Sequence, residues 1–184
     1  AGSLQEVMED TKTKNNSSRE QLFEVVKESW TFLRYNKRAR KIMITNALVG
    51  AVSTLVLFFL QAKLPLAGLD SALLGPALFM MGLGAAAGAK ISQYFSDCSY
   101  VRMLLAGGAG VLFAFGMTFT GRPYLMILGG FVGALSDDFL EVRTDVLLNE
   151  MIPSGQRATL ISVSSFLFSV VMIVMSTLMG WIMG

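Results

Sequence analysis

The sequence predicts an all-α, polytopic helical membrane protein, and three observations lead to that prediction. Of its 184 residues, 53% are hydrophobic and 15% are charged, whereas soluble domains carry roughly 25% charged residues. The apolar residues are grouped into segments of about 20 residues, the length that a helix needs to cross a bilayer. Turn-forming residues and most of the Lys and Arg residues lie between those segments. We therefore expect a bundle of membrane-spanning helices.

Two residue types that often build active sites are nearly missing from the chain. There is no His, and Cys98 is the single cysteine. An intrachain disulfide is thereby excluded, and zinc or His-based catalysis is disfavoured. We expect no catalytic residue, metal ion or cofactor, and no nucleic-acid partner.

The first predicted domain, residues 1–41, is a cytoplasmic linker that contains an amphipathic helix. Residues 1–17 are polar, and residues 18–34 place apolar side chains at helical spacing after a possible capping box at Ser17 or Ser18. The apolar positions are Leu22, Val26, Trp30 and Leu33. Such a helix can lie on the membrane surface, or it can be an ordinary surface helix packed on the protein.

The second predicted domain, residues 42–184, contains five membrane-spanning helices. We expect them over residues 42–60, 73–90, 101–119, 124–151 and 158–184, with turns at 63–65, 96–99, 121–123 and 153–155. Nine basic residues precede the first span, whereas only Lys63 and Arg122 fall in the loops of the opposite side. This bias predicts a multi-pass protein of the cell membrane with a cytoplasmic N-terminal linker. An odd number of spans suggests that one closing helix is missing.

The fourth span carries an unusual number of ionisable residues. Asp137, Glu141 and Asp145 are spaced four residues apart and share one helix face, which Asp138 adjoins. Arg143 points to nearly the opposite side and needs a partner from another element. A charged residue at the centre of a membrane helix costs about 2.5–3.5 kcal/mol on insertion scales, so such residues usually serve a function.

Two interpretations of this acidic face remain open. Asp137, Asp138 and Glu141 can bind a substrate or couple transport to protons, and Asn46 of the first span can add polar lining. Thr45 and Ser53 are weaker candidates for the same lining. Alternatively, some of the charges are solvated near the cytoplasmic end or form structural ion pairs, and Arg143 and Asp145 are the strongest candidates for that role. Hydroxyl groups in helices often bond to their own backbone, which weakens the case for Thr45 and Ser53.

Residues 149–163, NEMIPSGQRATLISV, resemble the junction between the tenth and eleventh helices of major facilitator superfamily transporters, with the pattern N-x-x-I-P-S-x-x-R-A-T-x-x-S. The resemblance implies that residues 18–184 are the cytoplasmic linker and helices seven to eleven, and that Glu141 occupies a commonly acidic position. It also implies that the N-terminal half and the last helix of the same transporter are missing. The loop motif G-x-x-x-D-R-x-G-R of that family is degenerate here and lacks its Asp.

The residues of this junction also have a physical interpretation. Pro153 suits a break between two helices, Ser154 can cap the second helix, and Arg157 can pair with an acidic group or a lipid phosphate. The resemblance implies a secondary active transporter that moves a small solute or drug-like compound by alternating access, with proton coupling. The alternatives are a non-transporting membrane scaffold or subunit that docks a partner and, with little support, a membrane enzyme.

Overall fold

A computed structural model describes residues 24, 27 and 30–183. Throughout these residues the regular structure is helical, with no strand. The polar linker 1–17 and most of the predicted amphipathic helix, including Leu22, Val26 and the capping box, lie outside the described residues. Residues 30–35 are helical, and Leu33 is buried in the apolar core, which agrees with the predicted helical spacing there.

Five long helices follow, at the positions that the sequence predicts. They are α1 (Lys37–Leu66), α2 (Ser71–Ser92), α3 (Tyr100–Met117), α4 (Pro123–Met151) and α5 (Arg157–Met183), with short 3-10 turns at Gln93–Phe95 and Ser154–Gln156. Four stretches are long and apolar enough to cross a membrane: Lys37–Leu66, Ser71–Phe95, Tyr100–Met117 and Ser154–Ile182. The chain is therefore an all-α, polytopic membrane protein. The charged residues of α4 keep it out of this set, although its 29 residues make it about 43 Å long.

The first helix begins five residues earlier than the sequence predicts. Asn36 caps α1, because its side chain accepts a hydrogen bond of 3.0 Å from the Ala39 backbone N–H. The basic residues that the sequence assigns to a linker thus form the first turns of α1. The boundary prediction at residue 42 followed the onset of apolar residues and could not detect the cap.

The predicted turn at residues 63–65 is wrong, because α1 continues through Leu66. The chain turns instead at Gly68, whose φ of 92° favours glycine. Leu69 N–H donates to the Leu64 carbonyl at 3.1 Å and Gly68 N–H to the Pro65 carbonyl at 3.0 Å. This is a Schellman motif, and the buried Leu64 and Leu69 side chains share one apolar cluster, as such motifs commonly require.

The acidic helix α4 occupies the centre of the bundle and packs on α1, α2 and α3. The approach of α2 is especially close, since a Cβ atom at Gly84 or Gly88 would meet the backbone of Phe131 or Leu135. Small residues permit this kind of contact between membrane helices. Helix α5 packs on α1 rather than along α4. One side of α4 therefore remains uncovered over the described residues.

Candidate functional site

The uncovered side of α4 borders a cleft of about 450 Å³ whose other walls are α1 and α5. Two of the predicted acidic residues, Glu141 and Asp145, line this cleft, and so does Asn46 of α1. Their neighbours add further polar groups to an otherwise apolar lining. These neighbours are Asn149, Ser164, Ser165 and Ser169. The structure thus brings Asn46, Glu141 and Asp145 into one space, whereas Asp137 and Asp138 are not among the residues that line it.

Asp137 lies one helical turn from Glu141, next to the α1 backbone. A Cβ atom at Gly50 would lie 3.9 Å from Asp137 Oδ1 and 3.5 Å from the Phe168 ring of α5. The Ser53 hydroxyl adjoins the same carboxylate. Ser53 is only 1% exposed, and its oxygen makes no hydrogen bond of strict geometry within the described residues. Asp137 therefore lies beside α1, close to Gly50 and to the Phe168 ring of α5.

Four of the five carboxylates of α4, those of Asp137, Asp138, Glu141 and Asp145, lie close together without a cationic partner among the described residues. The negative charges of Asp138 and Glu141 act on the Asp137 carboxylate, and the negative charge of Asp145 acts on Glu141. No Lys or Arg nitrogen of the described residues lies within 4.0 Å of any of these carboxylates. Structural ion pairs of the kind considered for Asp145 are thus not formed in this part of the chain. Nor do the described residues contain a group of side chains that could hold a metal ion.

Arg143 lies on the opposite side of α4, as its position in the sequence predicts, and is only 9% exposed. One guanidinium nitrogen, Nη2, donates a hydrogen bond of 2.8 Å to the Ser96 carbonyl in the connection between α2 and α3. Its Nε has no partner within the described residues. Arg143 therefore ties a loop to α4 and does not take part in the acidic cleft.

Replacing Arg143 by Met should release this loop. The substitution removes a hydrogen bond from a charged donor and leaves the Ser96 carbonyl without it, which we expect to cost about 1.5–3 kcal/mol of stability. Thermal unfolding in detergent measures the loss, and the rate of maleimide labelling at the half-buried Cys98 should rise. Arg102→Gln is the control, because Arg102 is exposed and makes no side-chain hydrogen bond in the described part. Unchanged labelling and stability in Arg143→Met would contradict this role.

The junction between α4 and α5 differs in detail from its prediction. Pro153 does separate the two helices, but Ser154 begins a 3-10 turn instead of capping α5, because the chain makes one tight turn before Arg157. Arg157 Nη2 donates to the Asn149 carbonyl at 3.1 Å, at the end of α4. The predicted acidic partner of Arg157 is not found among the described residues.

The sequence interpretation missed the contribution of α5 to the cleft. The cleft lining on α5 includes Ser164 and the residues one, four and five positions after it, which are Ser165, Phe168 and Ser169. The spacing of the three serines could have identified a polar face shared with Phe168. Ser165 and Ser169 bond to backbone carbonyls of their own helix, at 3.2 and 3.0 Å. Thr45 does the same with Lys41, at 2.7 Å, and is not part of the cleft lining. Ser164 is thus the α5 hydroxyl most available to a ligand.

No protein-family model, no curated protein and no solved structure matches this chain. The resemblance of residues 149–163 to a transporter junction therefore depends on those residues alone. What it implies for function is a proposal, to which the geometry of the cleft contributes separately.

Proposed function

We propose that the chain is the C-terminal half of a secondary active transporter of the major facilitator type. It moves a small solute or drug-like compound by alternating access and is driven by protons. The observation that carries this proposal is the position of Asp137, a partly buried carboxylate without a cationic partner within the described residues, one helical turn from Glu141, which lines the polar cleft. The junction sequence supports the same class of protein independently.

The depth of Asp137 in the bilayer supports a transport role. The residue is 14 positions from each end of α4, Pro123 and Met151, so each end lies about 21 Å away along the helix axis. Charged residues at such depth usually face a protein interior or a water-filled cavity, and they mark substrate or proton pathways. Transporters of this architecture bind their substrates near the midplane.

The neighbours of Asp137 support proton coupling. Burial and nearby negative charge both favour the neutral form of a carboxyl group, so a small change in surroundings can make it release a proton. Asp138 and Glu141 supply negative charge, and α1 and α5 restrict the access of water to Asp137. A movement of α5 away from α1 would expose the carboxylate. Asp137, Asp138 and Glu141 are accordingly the proposed coupling and substrate-binding residues.

The opening of the cleft supports a partner half. Lipid tails cannot satisfy carboxylate and amide groups, so a polar cleft at membrane depth must be covered by protein or filled with water. Only 6% of the residues in the most apolar window of α5 are buried. We infer that six further helices and a closing one cover the cleft, while the bilayer covers the remaining apolar faces.

Uptake into proteoliposomes tests the proposal. The transporter that contains this chain would be reconstituted and given an inward proton gradient, with radiolabelled sugars, amino acids and lipophilic cations as probes. At least one probe should accumulate and should stop doing so when a protonophore is added. Asp138→Asn and Glu141→Gln should each lower the initial rate, whereas Glu150→Gln, at the exposed end of α4, should not. Wild-type rates in Asp137→Asn, Asp138→Asn and Glu141→Gln together would refute the proton-coupling role.

A scaffold that docks a partner is the second candidate function, and the exposed length of α5 favours it. Aromatic and branched side chains such as Phe166 and Ile173 project from this helix with about 70% of their surface uncovered. If no probe accumulates and a partner protein copurifies through α5, the scaffold interpretation replaces the transporter. Substituting Phe166 and Ile173 by Ala would then release the partner. Copurification detects this release, whereas uptake measurements do not.

A further inference from the structure

A second cleft, of about 460 Å³, lies beside the acidic cleft, between the same helices α1 and α5, and Met43 contributes to the walls of both. It is bounded by the helical residues 30–35, the first turns of α1 and the first half of α5. Its walls are mainly apolar, with two arginines among them. The lining residues are Trp30, Leu33, Arg34, Arg40, Met43, Ile44, Val163, Phe166 and Leu167. Nothing in the proposed transport cycle uses this cleft.

The two arginines have no acidic partner among the described residues. Arg40 Nη1 lies 3.4 Å from the Leu33 carbonyl and 3.5 Å from the Arg34 carbonyl, so its guanidinium is held beside the last turn of the helical residues 30–35. No carboxylate of the described residues lies within 4.0 Å of Arg34 or Arg40. The first turn of α1 contains no acidic residue. Lys37, Arg38 and Lys41 are exposed nearby and increase the positive charge.

The apolar part of the cleft extends toward the membrane. Phe166 is 70% exposed and Ile44 is 42% exposed, and both side chains lie farther along the spans than the arginines. The walls of the cleft are thus almost wholly apolar, and the guanidinium groups of Arg34 and Arg40 lie at its rim, near the start of α1. Basic pockets between membrane helices of this kind bind anionic lipid head groups.

We propose that this cleft binds an anionic phospholipid. The guanidinium groups of Arg34 and Arg40 bind the phosphate, and one acyl chain lies against Met43, Ile44 and Phe166. Charge complementarity decides between this occupant and the alternatives. A zwitterionic lipid also carries a phosphate, but its ammonium group would lie beside the exposed Lys37, Arg38 and Lys41, whereas an anionic lipid brings only negative charge. A second copy of this chain would bring its own basic cluster to a basic surface. The lipid would brace the helical residues 30–35 against α1 and α5.

Quenching of Trp30 fluorescence by brominated lipid tests this site directly. Trp30 and Trp181 are the two tryptophans of this chain, so the Trp181→Phe protein, with any tryptophan of the proposed partner half also replaced by Phe, reports on the cleft alone. It would be reconstituted in phosphatidylcholine bilayers with increasing fractions of phosphatidylglycerol brominated in its acyl chains. Two neighbouring cations should favour brominated phosphatidylglycerol over brominated phosphatidylcholine at Trp30 by about thirtyfold. The Trp30→Phe protein, which reports through the exposed Trp181, should show no preference.

Paired substitutions separate the site from general surface charge. Arg34→Gln with Arg40→Gln should reduce the lipid preference at Trp30 to nearly one. Arg34→Gln alone should reduce it partly and leave folding intact, because that side chain is exposed and makes no hydrogen bond in the described part. The matched control is Lys90→Gln with Arg102→Gln, which removes two exposed charges away from the cleft and should change the preference less than twofold.

Four outcomes would overturn the proposal. They are equal quenching by the two lipids, an equal loss in the matched control, displacement of the lipid by inorganic phosphate alone, and a Trp30 that no lipid quenches because a second copy of the chain covers it. Phosphate displacement would mean that the arginines bind a free anion, and a dimer would mean that the cleft is an interface. Neither result bears on proton-driven uptake, so the transport proposal is tested separately.

Discussion

Replacing Gly88 by Ala is expected to separate α2 from α4 and to cost the protein about 3 kcal/mol of stability. The added Cβ would overlap the carbonyl of Leu135, which belongs to the backbone of α4 and cannot rotate away as a side chain could. Overpacking of a core typically costs 1–3 kcal/mol. Because the obstacle is backbone, we expect the cost of overpacking to exceed that range. Ala recovers up to about 1 kcal/mol of this cost through its higher helix propensity, which leaves a net loss of about 3 kcal/mol.

Gly82 of the same helix provides a matched control. A Cβ atom there would meet nothing within 4 Å, so Gly82→Ala should leave stability unchanged or raise it slightly. Thermal unfolding in detergent compares the two variants, and cysteine cross-linking between α2 and α4 reports on their separation. Equal unfolding temperatures for Gly82→Ala and Gly88→Ala would mean that the two helices do not pack as closely as the structure shows.

The existence of all five helices could be predicted from the sequence because apolar segments of membrane length have few alternative structures. Every backbone polar group inside a bilayer must be bonded within the segment, which leaves the helix as the solution for a single span. The boundaries were less predictable, since they depend on caps. Asn36 and Gly68 each moved an end of α1 by several residues through local hydrogen bonds that hydropathy does not register.

The acidic face of α4 could likewise be predicted from the sequence, but the walls opposite it could not. Helical periodicity places Asp137, Glu141 and Asp145 on one side of α4 and Arg143 on the other, as observed. Which helices face that side depends on packing, which is set by small residues such as Gly84 and Gly88. Gly50 and Phe168 carry no polar or charged group that would link them to Asp137 in the sequence. Their position beside Asp137 is therefore known only from the structure.

Neutralising Asp137 is expected to abolish gradient-driven uptake and, at the same time, to make the protein more stable. In Asp137→Asn the side chain keeps its size, but it can no longer take up or release a proton. Accumulation of a transported probe should therefore fall to that of protein-free vesicles. The Asn side chain still adjoins the Ser53 hydroxyl, which lies near the carboxylate in the structure. Because the amide carries no charge, the cost of placing an unpaired carboxylate between helices is removed, and we expect this to add about 1 kcal/mol to stability.

The opposite signs of these two effects distinguish coupling from structural support. If a residue is retained for stability, replacing it lowers both the stability and the uptake of the protein. If a residue is retained for function in an unfavourable position, replacing it often raises stability while uptake is lost. Uptake and detergent unfolding temperature would be measured on the same preparations, with Glu150→Gln as the control that changes neither. Lower uptake together with lower stability in Asp137→Asn would assign the carboxylate a structural role. Retained uptake with higher stability would move proton coupling to Asp138 or Glu141, the nearest carboxylates.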